Sequence, residues 1–298
     1  MGRKIGLLIF WTVLTALAGL GIWLFDKNDC GILEAVMGAL IALFIEKVWR
    51  ASEDISDTTN WKTSLRQLWR GGTIKKETLV RVSFAYLYRI KVGSEYLLVK
   101  NARGTGKYQP VGGVYKLNGD ERIELTNRYH VVDDDKVPID ESSRDDYRLQ
   151  MPSRYLKKFM NRFDSKKASR ERIDDVSREF KEEIGNELGW TGIRYRYCGR
   201  HITDLKFGDH FRCYELLLAD IVELLPTETQ RNDLVDIHRQ ALDKYRFATA
   251  DEITGLGIIP GTDKMVEWIA DHSAKMIQEN EQYLLREPGV GAVFEVSL

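Results

Sequence analysis

Cysteine is scarce in this chain of 298 residues: there are three, Cys30, Cys198 and Cys213, far apart and odd in number. A disulfide framework and any cysteine-based metal spacing are thereby excluded, and the C-terminal part is expected to be reduced and intracellular. Histidine is nearly as rare. The five residues have no paired spacing, so neither a histidine metal site nor a Ser/His/Asp arrangement follows from them. Excess charge of one sign is also missing. Lys+Arg is 44 against 45 Asp+Glu, a formal charge of -1. A balance this even argues against binding a nucleic-acid polymer through bulk electrostatics. Internal repeats and long low-complexity segments are absent too.

Apolar residues make up 43% of the chain, but they are unevenly spread. Ile5 to Phe25 contains no charge, and at ~1.5 Å per residue a helix of that length covers roughly 30 Å, the thickness of a bilayer core. Trp11 and Trp23 lie toward its two ends. A polar turn, Asp26 to Gly31, leads into a second apolar stretch from Ile32 to Trp49, interrupted by Glu34 and Glu46. Residues 1–50 are therefore expected to form a transmembrane helical hairpin. Arg3 and Lys4 flank the first stretch, and Lys47 and Arg50 the second. The positive-inside rule then puts both termini in the cytoplasm of an inner-membrane protein. Met1 to Ala18 also has the outline of a signal peptide, but the apolar run continues past Ala18 and a second run follows at once. Within the second stretch Glu34 and Gly38 share one stripe, while Ala39 belongs to a second stripe of small residues. These three residues are the candidates for a membrane function beyond anchoring.

Residues 51–74 form a linker in which Trp61, Leu65, Leu68 and Trp69 recur at helical spacing with basic residues between them. That pattern suits an amphipathic helix, lying on a membrane surface or packed on the following domain. Residues 75–298 read as one mixed domain. Arg81 to Asn101 reads as two strands around a turn at Lys91 to Ser94. A Gly-rich loop follows, flanked by Lys100, Arg103 and Lys107, and then the pair Gly112-Gly113. Paired glycines let a backbone approach a ligand closely. The three cations suit its phosphates. Downstream, Arg178-Glu179-Phe180-Lys181-Glu182-Glu183-Ile184-Gly185 on a regular helix places Glu179, Glu182 and Glu183 in one arc beside an apolar face of Val176, Phe180 and Ile184. Clustered carboxylates repel, and a divalent cation such as Mg²⁺ would remove that repulsion. A solvated acidic face is the plainer alternative.

That octet resembles the signature helix of the NUDIX family, R-E-U-x-E-E-x-G, with Phe180 at the aliphatic position U. Tyr96 to Lys100, Gln109 to Gly113 and Tyr245 to Ile253 resemble further segments of the family. The resemblance implies an α+β chain in which a NUDIX-like α/β/α sandwich follows the hairpin. It departs from the pattern at about 114–170, a polar insertion that separates the glycines from the helix and puts Glu171 one position away from an expected glutamate. An insertion of this kind reads as an element that covers a ligand. A two-span hairpin joined to such a domain is similar to the SMODS-associated NUDIX proteins of CBASS anti-phage systems. That resemblance implies an effector that senses a cyclic di- or trinucleotide made by a cognate nucleotidyltransferase, assembles into homo-oligomers and disrupts the membrane lipid. Lys100, Arg103, Lys107, Gly112 and Gly113 would bind the ligand, and Glu179, Glu182 and Glu183 the metal. The alternative is a tethered Mg-dependent hydrolase of a nucleoside diphosphate derivative, with Glu179 as a further ligand or the catalytic base.

Overall fold

The computed structural model describes residues 2–26, 31–56, 61–101, 106–141, 143–258, 268–277, 284 and 289–298. They divide into two units, residues 1–60 and 61–298.

The first unit is a pair of helices, α1 (Gly2–Asp26) and α2 (Gly31–Ser56). They pack on each other, with the Trp11 and Phe44 rings 5.8 Å apart and the Met37 side chain lying where a Cβ at Gly21 would go. In α1 the Thr12 and Thr15 hydroxyls donate to the Leu8 and Trp11 carbonyls, each at 2.8 Å, and so satisfy themselves along an apolar helix. The expected transmembrane hairpin is not found: among the described residues no helix is long and apolar enough to cross a membrane. The described side chains of α1, from Leu8 to Trp23, carry no charge. Those of α2 include Glu46 and Lys47. The expected two-span inner-membrane location with both termini in the cytoplasm falls with the hairpin, since it rested on the same two apolar runs. The Glu34 side chain and the center of the turn, residues 27–30, lie outside the described residues. Gly38 has open space around it and Ala39 is exposed.

The second unit begins with α3 (Trp61–Arg70), whose Trp61 and Leu65 are buried in the domain core. Its Ser64 hydroxyl accepts from the Leu205 N–H at 2.9 Å, and the Trp69 indole donates to Ser153 at 2.9 Å. Strands β1 (Leu79–Arg89), β2 (Lys91–Val92), β3 (Glu95–Lys100), β4 (Tyr108–Gln109) and β5 (Gly112–Val114) follow. Then come α4 (Gly119–Tyr129), β6 (Val132–Asp133), β7 (Arg148–Pro152) and α5 (Leu156–Phe163). The octet lies on α6 (Ser177–Phe180), which runs through a π turn at Lys181–Gly185 into α7 (Asn186–Leu188). The chain ends through β8 (Gly192–Ile202), β9 (Lys206–Gly208), β10 (Cys213–Leu224), α8 (Glu228–Gln240), β11 (Tyr245–Thr249), α9 (Ala250–Thr254), α10 (Ala274–Ile277) and β12 (Val293–Ser297).

One sheet has the order β12-β8-β10-β1-β7-β6, with β5 added to β1 and β9 to β10; a smaller one has the order β11-β3-β2, with β4 on β3. β1 runs parallel to β10 and antiparallel to β7 and β5. The alternation of β1 builds the core. Phe84 meets Phe163 of α5 at 4.7 Å, and Tyr88 meets Phe180 of the signature helix at 5.1 Å. Residues two apart on a strand share a face, so α5 and the signature helix cover one side of the sheet. Leu87, of opposite parity, packs with Ala219, Ile221 and Leu284. The Arg89 guanidinium, also of that parity, donates to the carbonyl of Met276 at 2.6 Å. Helical layers therefore lie on both faces.

The insertion supplies core rather than a cover. β7 extends the main sheet, and Phe159 and Phe163 are buried against Phe84, Tyr115 and Tyr147. Its polar residues close internal bonds. The Arg162 guanidinium forks onto Glu121 at 2.9 and 2.6 Å, and the Ser169 N–H donates to the same carboxylate. Burial alone would raise the Glu121 pKa, but these donors hold it below its ordinary value. A second knot ties strands to loops. Asp220, 1% exposed, accepts from Tyr115, Tyr197 and two nitrogens of Arg200, all between 2.7 and 3.0 Å. Removing one member of a buried ion pair strands the other charge. Asp220→Asn should therefore lower unfolding free energy by about 3–5 kcal/mol in urea titrations. A loss below ~1 kcal/mol would mean that water reaches Arg200.

Candidate functional site

The octet sits where β1, β5 and the signature helix meet. Phe180 and Ile184 are fully buried, which anchors the helix and turns its acids toward β5. Gly112 pairs with Leu87 and Gly113 with Tyr86 across the β1–β5 ladder. Gly112 has φ +147°, and a Cβ there would overlap the Tyr86 carbonyl oxygen. A Cβ at Gly113 would overlap the carboxylate of Glu179. Gly112 is needed for its backbone angle and its approach to β1, and Gly113 because the backbone there lies directly on the acidic helix. The Gly112 N–H donates to Glu183 at 3.0 Å, which closes the contact. The two halves of the motif, split by the insertion in sequence, are joined in space.

Arg178 is the fastener. Its guanidinium donates to Glu171 at 2.7 and 3.2 Å, to Glu179 at 2.5 Å and to the Val114 carbonyl at 3.0 Å. Glu171 in turn accepts from the Lys116 N–H at 2.9 Å, and its own N–H donates to the Lys116 carbonyl at 2.8 Å. One cation thus ties the strand after the glycines, the end of the insertion and the helix together. Burial opposes charge on Arg178, but Glu171, Glu179 and Tyr86 raise its pKa above the ordinary value.

The acids differ in environment. Burial pushes the Glu183 carboxyl up to about 8; the Gly112 N–H and Lys244 pull it down, and Glu179 and Glu182 add to the rise. Burial also raises Glu179, against the pull of Arg178. Glu182 is exposed. The helix that carries these acids is not regular throughout, since it makes a π turn at Lys181–Gly185. Among the described residues no group of three or more His, Cys, Asp or Glu is arranged to hold a metal ion. The donor chemistry nevertheless fits a hard divalent cation. Glu179 and Glu183 bring oxygen ligands and mutual repulsion, and Mg²⁺ commonly takes only one or two carboxylates plus substrate phosphates.

Of the residues expected to bind ligand, Gly112 and Gly113 lie at this site. Lys100 is ion-paired with Asp243 at 2.5 Å. The Lys107 carbonyl accepts from the Asn101 N–H at 2.9 Å. Arg103 lies outside the described residues. The cation that acts on Glu183 is Lys244, which sequence reading missed; it ion-pairs with Glu187, where the Tyr245 hydroxyl also donates at 2.7 Å. No spacing rule links Lys244 to an octet so far upstream. Tyr86 was read only as a strand residue. Its hydroxyl is buried beside the Glu179 backbone and has no well-aligned hydrogen-bond partner among the described residues. Burial, with Glu171 and Glu179 nearby, raises its pKa far above the ordinary value.

The SMODS-associated NUDIX domain family matches residues 79–277, the insertion included. No curated protein matches the chain. A solved structure, "Crystal structure of UDP-X diphosphatase", aligns with 12% identity over 92% of each chain at a TM-score of 0.24, too loose an overlap to bear on fold or function.

Two outcomes follow from this geometry. Glu183 holds a proton in the folded chain up to about pH 8, whereas an unfolded glutamate releases it near pH 4.3. Its contribution to stability is therefore fully present below the unfolded value and is lost as pH rises toward 8, at up to ~1.4 kcal/mol per pH unit. In thermal melts without divalent cation, Glu183→Gln should flatten that decline; parallel wild-type and variant curves would exclude Glu183 as the titrating group. Tyr86→Phe removes an unsatisfied buried hydroxyl and should stabilize the cation-free chain by about 1 kcal/mol or more in urea unfolding, whereas a loss would show that the hydroxyl is bonded.

Proposed function

The chain belongs to the SMODS-associated NUDIX family, and from that premise we propose that its carboxylate center receives the phosphates of a nucleotide ligand together with a divalent cation. We assign the chain to anti-phage defense, with a cyclic di- or trinucleotide as the ligand it senses. The observation that carries this reading is the seating of Gly112 and Gly113 on Glu183 and Glu179. A backbone without side chains lets the β5 strand lie against both carboxylates and hold them at one place. Glu179 and Glu183 would hold the cation, which supplies the charge that lets acids and phosphates share one site. Arg178 fixes Glu179 in direction, and Lys244 adds positive potential behind Glu183. A center with fewer than three grouped acids suits a cation whose remaining ligands come with the nucleotide.

One observation favors a second reading. Burial raises the Glu183 carboxyl to about 8, so once a bound cation displaces its proton the carboxylate would be a stronger base than an ordinary glutamate, as phosphoanhydride hydrolysis needs. On that reading Glu183 joins Glu179 as a candidate base, and a nucleoside diphosphate derivative is cleaved.

Calorimetry and chromatography of the full chain with Mg²⁺ separate the two. A panel of cyclic di- and trinucleotides and nucleoside diphosphate derivatives is titrated, and both binding and ligand integrity are followed. Saturable binding of an intact cyclic oligonucleotide, weakened ~10-fold or more by Glu183→Gln and accompanied by a larger species on sizing, is the expected result. Conversion of a bound diphosphate to monophosphates would replace sensing with hydrolysis. Binding of neither class would overturn the nucleotide reading.

A further inference from the structure

We propose that the cleft between α8 and the β8–β12 edge is a second binding site, for a phosphate-bearing ligand of nucleotide size. The cleft has a volume of about 1060 Å³ and is lined from β2, β8, β12 and α8. Pockets for small ligands run to roughly 1,000 Å³, so a mononucleotide fits with room for solvent. None of the residues that build the carboxylate center lines it.

Its charge is one-sided. Lys91, Arg194 and Arg231 face the cleft against a single acid, Glu295. Arg194 on β8 stands opposite Glu295 on β12 in the ladder, yet the two form no ion pair among the described residues. Arg231 closes the first turn of α8 and likewise has no acidic partner among the described residues. Elsewhere in this domain Arg81, Arg122, Arg162, Arg178, Arg196 and Arg200 each hold a carboxylate. Arg89 and Arg170 instead donate to the carbonyls of Met276 and Phe163, and Arg246 lies over the Trp268 ring, whereas the two guanidiniums at the cleft line an open concavity. Guanidinium forks match phosphate oxygens in pairs, and like charges around one concavity repel until an anion enters. The Thr191 and Ser297 residues at the rim add short polar groups suited to a sugar or phosphate edge. The balanced net charge and the bounded volume favor a small ligand over a nucleic-acid polymer.

The experiment uses the full chain in chelator-treated, cation-free buffer, where the clustered acids at the other center repel anions. Pyrophosphate and ADP are titrated by calorimetry at low salt. Saturable binding of one or both is expected, weakened ~10-fold or more by the double variant R194A/R231A and unchanged by Glu183→Gln. Circular dichroism and a matching melting temperature establish that the double variant is folded. No saturable binding by wild type, or equal binding by R194A/R231A, would overturn the proposal, as would binding that Glu183→Gln alone abolishes. Failure here leaves the cation-dependent titrations of the carboxylate center untouched, so the two readings stand or fall separately.

Discussion

The Arg178 guanidinium, shared among Glu171, Glu179 and the Val114 carbonyl, is the contact on which the site depends. It binds three stretches of chain at one point: the end of β5, the end of the insertion and the first turn of the signature helix. With those joined, Gly112 reaches Glu183 and Gly113 lies flat on Glu179. The energetic sense is plain. A cation surrounded by two carboxylates and a carbonyl offsets its own desolvation, whereas Glu183, with one backbone donor and two acidic neighbors, does not. The center therefore holds side by side an acid whose burial Arg178 partly offsets and one without such a cation in contact.

Buried polar knots of the same kind secure the insertion. Glu121 with Arg162 and the Ser169 N–H, and Asp220 with Arg200, Tyr115 and Tyr197, are each closed on several sides. Such knots add little net stability over an apolar core, but they are intolerant of half-removal. They fix where the chain returns after residue 170, and so where Glu171 can meet Arg178. The aromatic cluster of Phe84, Tyr115, Tyr147, Phe159 and Phe163 does the complementary work of supplying apolar area.

Much of the fold was legible. The alternation in Arg81 to Asn101, the apolar side of the octet and the glycine pair all have local signatures and lie where those imply, except that Lys91 and Val92, expected in the turn, form β2, and the two main strands go to different sheets. The ends were less so. A long uncharged run at the N-terminus satisfied the length rule for a span when counted over all its residues, yet no described helix is long and apolar enough to cross a membrane. The insertion was read as a cover because its composition is polar. Composition averages over residues, and it hid Phe159 and Phe163, which face inward at helical spacing from a short segment.

Sequence alone determined which chemistry is on offer: carboxylates on a helix with an apolar back, glycines able to lie against them, and an arginine next to the acids. Those are local properties, set by residue type and by periods of two and 3.6. Tertiary structure decided which of these groups meet. Glu171, one position off the expected spacing, still reaches Arg178, because the path of a folded insertion, and not a residue count, sets that distance. Glu179 and Glu183 lie against Gly113 and Gly112 while Glu182 stays exposed, a division that only the packing of β5 on the helix sets. Lys244 and Tyr86 join the site from strands and loops far along the chain. Contacts between distant segments depend on how the whole core packs, and no local pattern encodes that.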